Sequence, residues 1–205
     1  FVAWTFSMLD PSYITYLLLM AQESYTMSTP NSSTTNIRKA TLNDAQAIAK
    51  LGSHVFTVTL GPDFPATDLK IYLEENYSIE ATAKELEDPD KDMLVATSPS
   101  DQILGFALMA RGPPEPCICD IPKQVQLQRL YIHPDAQGRG VGKALITRVE
   151  ADARKQGFEN LWLGVYEKNY KAIGIYGKLG FKRVGSHEFI TGKEVQMDSV
   201  MLKSL

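Results

Sequence analysis

The stretch HPDAQGRGVGKALITRVEADARKQG, beginning at His133, places Gly138, Gly140 and Gly142 directly before a run with helical periodicity. Glycines this dense leave backbone N–H groups bare, and a helix start adds roughly half a positive charge, so the combination suits a pyrophosphate. Arg139 and Lys143 would add charge at its rim. Two other glycine motifs fail on particular residues. The P-loop pattern G-x-x-x-x-G-K-[ST] needs glycine where Gln137 stands and Ser or Thr where Ala144 stands, so its magnesium hydroxyl is missing. The dinucleotide pattern G-x-G-x-x-G ends on Lys143 if begun at Gly138 and on Leu145 if begun at Gly140. An ordinary glycine-rich entry into a helix is the plainer alternative.

Other reactive side chains are sparse. Cys117 and Cys119 stand two positions apart with no histidine nearby, too few ligands for a zinc set, and they read as loop residues. So few cysteines fit a reducing compartment, and we expect a cytoplasmic protein with no metal. The balance of 21 basic against 24 acidic residues, net −3, leaves no basic run to grip nucleic acid.

The elements that must position the glycine loop follow from periodicity. A chain of 205 residues, 44% hydrophobic, buries one sizeable core. The apolar run Tyr13–Ala21 is shorter than the about 20 residues of a membrane span and lacks a basic lead-in. Residues 1–36, with the polar stretch after Met27, are expected to form a flexible tail, and 37–205 the folded domain. A short strand from Ile37 precedes a helix carrying Ala45, Ile48, Ala49 and Leu51 on one face, with Asn43 or Asp44 as N-cap. One or two helices follow over 66–88, broken near Asn76–Ser78. Three strand-like runs come next, DMLVATS, QILGFALMAR and VQLQRLYI, then a helix over 141–156 with Val141, Leu145, Val149 and Ala153 four apart and Glu150 spaced to pair with Arg154. A strand at NLWLGVYE, a helix capped by Asn169 and closed by Gly180, and two strands about the turn TGKE end the chain. This order predicts an α/β fold, a mixed and mostly antiparallel sheet of six to seven strands with helices on both faces.

One irregularity in the fourth strand bears on chemistry. Its apolar residues sit at odd positions, Val125 and Leu127, and then at even ones, Leu130 and Ile132. A β-bulge near Gln128 and Arg129 produces such a change of phase and frees ladder amides for another partner.

Taken together, Gln137, Gly138, Arg139, Gly140, Val141 and Gly142 after a fourth strand, then Asn169, Ala172, Tyr176, Lys178, Gly180 and Phe181, resemble the two signatures of the GNAT superfamily of acetyl-CoA-dependent N-acetyltransferases. The segment LWLGVYEKNYKAIGIYGKLGF looks most like the bacterial spermidine/spermine N-acetyltransferases. The resemblance implies a splay between the fourth and fifth strands. It implies that Leu130, Tyr131 and Ile132 offer backbone groups to the pantetheine arm and thioester of acetyl-CoA, and that Gln137 to Lys143 hold its pyrophosphate. Asn169, Ala172, Tyr176 and Lys178 would line the other side of the arm. Tyr176 is then the expected acid toward the leaving sulfur, although a core aromatic is its plainer reading. Many relatives carry a glutamate base on the fourth strand, where this chain has Gln126 and Gln128, which take no proton at neutral pH. Glu167 and His54 are the substitutes to examine.

The acceptor is expected to be a small primary amine, polyamines favoured, because Lys70 to Asp92 holds eight acidic residues that could attract a polycation. A protein N-terminus or lysine, or a non-catalytic acyl-CoA-binding role, are the rival readings. No nucleic-acid or membrane partner is expected, and a homodimer stays open.

Overall fold

The computed structural model describes residues 35–191 and 194–205. The apolar run Tyr13–Ala21 and nearly all of the expected tail lie outside these residues. The elements are β1 (Asn36–Lys39), α1 (Ala45–Thr59), α2 (Ala66–Tyr77), α3 (Ile79–Glu87), β2 (Lys91–Thr97), β3 (Ile103–Ala110), β4 (Gln124–Ile132), α4 (Val141–Lys155), β5 (Asn160–Tyr166), α5 (Tyr170–Lys178), β6 (Lys182–Thr191) and β7 (Glu194–Ser204). Asn36, assigned to the tail by sequence, opens β1. The strands form one seven-stranded sheet in the order β1-β2-β3-β4-β5-β7-β6, antiparallel except for the β4–β5 pair.

Alternation within β2 and β3 places helices on both faces. Met93, Val95, Phe106 and Leu108 pack with Ile48 and Leu51 of α1, while the intervening Leu94, Ala96, Ala107 and Met109 pack with Val141, Leu145 and Val149 of α4. The predicted bulge is present: Leu108 pairs with Arg129 and Met109 with Leu127, so Gln128 is the extra residue. Val125, Leu127, Leu130 and Ile132 can thereby all face α4, and Arg129 and Tyr131 turn to the α1 side.

Glu150 of α4 lies 3.8 Å from Arg154, but its closer partner is Lys203 Nζ of β7 at 2.6 Å, which ties the helix to the sheet. At the start of α1, Asp44 holds the N-cap position without capping the helix. Its carboxylate turns back instead, accepting from Thr41 N at 2.8 Å and from both guanidinium arms of Arg38 at 2.8 and 2.9 Å. The hydrogen bond from Arg38, followed by bonds from Thr41, outweighs burial and lowers the Asp44 carboxyl from 3.8 to about 2. A depressed carboxyl stabilises the fold above its unfolded value and ceases to do so as pH falls through its folded one. Asp44→Asn is therefore expected to cost roughly 1–2 kcal/mol at pH 7 and almost nothing near pH 2, read as urea midpoints of both proteins across that range.

Candidate active site

The parallel pairing of β4 with β5 covers only Gln124–Gln126 against Asn160–Trp162. Beyond it both strands run on, β4 to Ile132 and β5 to Tyr166, paired on their far sides with β3 and β7. The sheet therefore opens into a cleft whose two walls are backbone edges.

At the end of β4 the chain turns through a short 3-10 segment, Pro134–Ala136, into the glycine loop. Gly138 and Gly140 have φ of 74° and 82°, the left-handed region that disfavours side chains, and a Cβ on either would project into open space. Gly140 is the N-cap of α4, so no capping side chain covers the first turn of that helix. Arg139 and Lys143 are exposed beside it, and a shallow hollow lined by Gly140, Lys143, Ala144, Thr147, Arg148 and Ala151 continues along the helix. The side chain of Val141 is buried in the core, so at the loop it has only its backbone to offer. The same holds in part for Leu130 and Ile132, which pack against the α4 core. Gln137 reaches back to the Ile132 carbonyl at 3.4 Å.

Past the end of β5 the chain enters α5. Asn169 Oδ1 accepts from Ala172 N at 3.1 Å, the cap its sequence position announced, and Ala172 and Tyr176 pack on the core while Lys178 is exposed. Tyr176 meets Phe181 edge to face at 5.7 Å between ring centres. Burial first, and then Tyr131 of β4, push its phenol up to about 12. Tyr131 and Tyr176 thus approach from the two sides of the opening.

On the α1 side of the sheet the cleft is bordered by aromatic rings. Tyr77 and Tyr131 share a hydrogen bond of 2.6 Å between hydroxyls, Tyr72 stacks on Phe56, and Arg129 lies over the Tyr77 ring at 4.9 Å. Gly52 of α1 makes this packing achievable, since a Cβ there would fall 2.6 Å from Tyr77 Cδ1. The acidic stretch of α2 and α3 is less available than its composition promised. Glu85 is bonded to Lys91 and Arg129, Asp92 to Arg111 and Lys39, and Asp88 lies 3.9 Å from Lys91.

Sequence reasoning missed a second acidic group. Asp198 of β7 pairs with Tyr166 of β5 and His187 of β6, in a row on the sheet face that also carries Val200 and Trp162. The available signal was parity, because Asp198 shares the phase of the buried Val200 and of Leu202. Glu167 stands just past β5, exposed, its N–H donating to the Met197 carbonyl at 3.0 Å. His54 is exposed on α1 and lies near His133, away from this row. Cys117 and Cys119 are exposed thiols, and Cys117 rests against Gly185. Among the described residues no helix is long and apolar enough to cross a membrane.

A cleft between a splayed parallel pair, flanked by a glycine loop at a helix N-terminus, is the arrangement the motifs implied, and comparison with known proteins agrees. The Acetyltransferase (GNAT) family model matches residues 58–181. An uncharacterized N-acetyltransferase of Mycobacterium tuberculosis is 30% identical over 80% of this chain and 99% of its own length. Streptothricin acetyltransferase of Streptomyces lavendulae is 26% identical over 78% of this chain and 87% of its own. The crystal structure of the PaiA N-acetyltransferase from Thermoplasma acidophilum, in complex with coenzyme A, shares the fold at a TM-score of 0.67 and 23% identity, covering 84% of this chain and 99% of that one. On the strength of the family model and the relative that is 30% identical over 99% of its own length, with the glycine loop and the splayed strands in agreement, the chain belongs to the GNAT family of acetyltransferases.

Proposed function

We propose that the protein transfers an acetyl group from acetyl-CoA to a primary amine of a small cationic molecule, with polyamines the favoured class. The single observation that carries this reading is the position of the glycine loop. The loop joins the end of β4 to the start of α4, and β4 is one of the two strands that separate at the cleft. The residues fit the coenzyme. Gln137 to Lys143 would hold the pyrophosphate through main-chain donors and the charges of Arg139 and Lys143, and the hollow along α4 would take the nucleotide end. Leu130, Tyr131 and Ile132 would supply backbone groups to the pantetheine arm, and Asn169, Ala172 and Lys178 would flank it on α5. That a structure of the same fold, the PaiA N-acetyltransferase, is in complex with coenzyme A supports a coenzyme A ligand here.

The bound thioester supplies an activated acyl carbon. What the chain adds is orientation and proton management. A β4 N–H aimed at the carbonyl oxygen would stabilise the charge developing there by ~3–4 kcal/mol, as one well-placed donor does elsewhere. Tyr176, its phenol pushed up to about 12, stays protonated at neutral pH and can donate a hydrogen bond toward the sulfur. Glu167 and its acidic neighbours near the β5 end would draw a cation to the α1 side of the cleft. The likeness of residues 161–181 to the spermidine/spermine enzymes favours polyamines among such cations.

A panel of spermidine, spermine, small monoamines, a lysine peptide and a peptide with a free N-terminus, each with acetyl-CoA and read by free thiol, tests the reading. Turnover is expected with the polyamines and little with the peptides. Thiol release only with peptides would move the acceptor to a protein, and binding of acetyl-CoA without release on any amine would leave a non-catalytic acyl-CoA binder.

A further inference from the structure

The row Tyr166, Asp198, His187 crosses three strands at the place where the sheet opens. Gly164 of β5 lies two residues beyond Trp162, the last residue of β5 paired with β4. A Cβ on Gly164 would come within 3.1 Å of His187 Cε1 and 3.4 Å of Asp198 Oδ2. Glycine there therefore lets an imidazole and a carboxylate settle against bare backbone at the mouth of the cleft, on the α1 side. The arrangement continues outward. His187 Nε2 is 4.0 Å from Asp198 Oδ2, and its buried Nδ1 is 3.4 Å from Glu115 Oε1, off the line of a hydrogen bond. Asp198, His187 and Glu115 form a file from the mouth of the cleft to a partly exposed loop carboxylate, in a chain that has glutamines at the expected base positions of β4.

We propose that Asp198 is the proton acceptor for the attacking amine, an assignment that rests on the acetyl-transfer reading above. The ammonium of the acceptor gives one proton to the Asp198 carboxylate. The freed nitrogen lone pair forms the C–N bond to the acyl carbon, the C–S bond breaks with its electron pair on sulfur, and the second nitrogen proton ends on that sulfur. The proton on Asp198 is then released to solvent, which restores the carboxylate, and His187 and Glu115 beside it set how tightly it is held.

The electrostatics of the pocket agree with the geometry. Burial is the largest influence on Asp198 and raises its carboxyl; Glu115 and Glu167 raise it further, while His187 opposes them. The same carboxylate adds a last, small part to the rise of the Tyr72 phenol on α2 to about 12, after burial, Tyr131 and Glu85 and against Arg129. A carboxylate that holds a proton more tightly than usual takes one from an ammonium more readily. Glu167, exposed on the rim, shapes this environment by its charge.

The test is the pH dependence of kcat/KM for Asp198→Asn, Glu167→Gln and His187→Gln, with the panel amine that the parent turns over fastest, alongside calorimetric titration of coenzyme A. Coenzyme A binding is expected to survive in Asp198→Asn, because the glycine loop lies elsewhere. Its activity is expected to fall about a hundredfold at pH 7 and to recover toward the parent as pH approaches the pKa of the amine, where the free base needs no acceptor. Glu167→Gln removes a charge that raises Asp198, so the acid limb moves to lower pH; His187→Gln removes one that lowers it, so the limb moves up. These opposite shifts test the assignment even if Asp198→Asn fails to fold. Parent-like profiles in all three variants, or the recovery signature in Glu167→Gln instead of Asp198→Asn, would overturn it. A parent that binds no coenzyme A, or turns over no amine, refutes the acetyl-transfer reading itself.

Discussion

Gly140→Val is expected to weaken coenzyme A binding by about one to two orders of magnitude. Gly140 sits at φ 82° and ψ −1°, a left-handed conformation that costs a residue with a side chain about 1–2 kcal/mol and a β-branched one more. A valine must either bear that strain or turn the peptide, and a turned peptide aims its N–H away from the phosphates. A valine that keeps the left-handed conformation bears its strain free and bound alike, so the loss of affinity comes from the turned peptide: a charge-assisted hydrogen bond is worth roughly 1.5–3 kcal/mol, or about one to two decades at about 1.4 kcal/mol each. Gly142 is the internal control. Its backbone is not left-handed, and a Cβ would meet Ile132 at 3.6 Å, an ordinary contact. Gly142→Ala is accordingly expected to bind within about threefold of the parent by the same calorimetry. Equal losses in both variants would mean that the loop as a whole, and not the left-handed amide at 140, holds the ligand. Unchanged binding in both would remove the cradle.

The contrast between those two glycines marks where sequence reasoning reaches and where it stops. Local patterns were legible because each is written within one element. The change of phase between Leu127 and Leu130 announced the bulge at Gln128, and the four-residue spacing of Val141 to Ala153 announced the buried face of α4. The fourth strand, the glycine loop and Asn169 then located the cleft. Relations between distant segments were not legible. Glu85 counted as a free acidic residue until the fold placed it against Arg129, 44 positions away. Asp44 looked like a helix cap until Arg38 claimed both its oxygens. Asp198 and His187 become a pair only through the registers of β6 and β7, and their fit over Gly164 adds a third strand. In each case the missing quantity was a register or a partner, which the residue types alone do not encode.

Tyr176→Phe is expected to lower kcat about tenfold to a hundredfold while leaving KM for acetyl-CoA within about threefold of the parent. The phenylalanine keeps the edge contact with Phe181 and the packing on the α4 core, so the fold and the coenzyme site should persist. What it loses is the hydroxyl. With its pKa pushed up to about 12, the phenol holds its proton roughly three units more tightly than an ordinary thiol near 8.5, so full transfer to the sulfur would run uphill. On the proposed reading Tyr176 would therefore act by donating a hydrogen bond to sulfur as charge develops, and the proton that finally rests there would come from the acceptor nitrogen. A hydrogen bond to a charged group is worth roughly 1.5–3 kcal/mol, which is the source of the expected factor. The donor is present while the phenol is protonated and is lost only as pH rises through about 12, so the parent kcat should show no basic limb from Tyr176 below about pH 10.5. A Phe variant that turns over at the parent rate would return Tyr176 to the core as a packing residue. A parent kcat that falls between pH 8 and 10, with the fall absent in Tyr176→Phe, would instead show that the bound coenzyme lowers the phenol enough for it to surrender the proton itself.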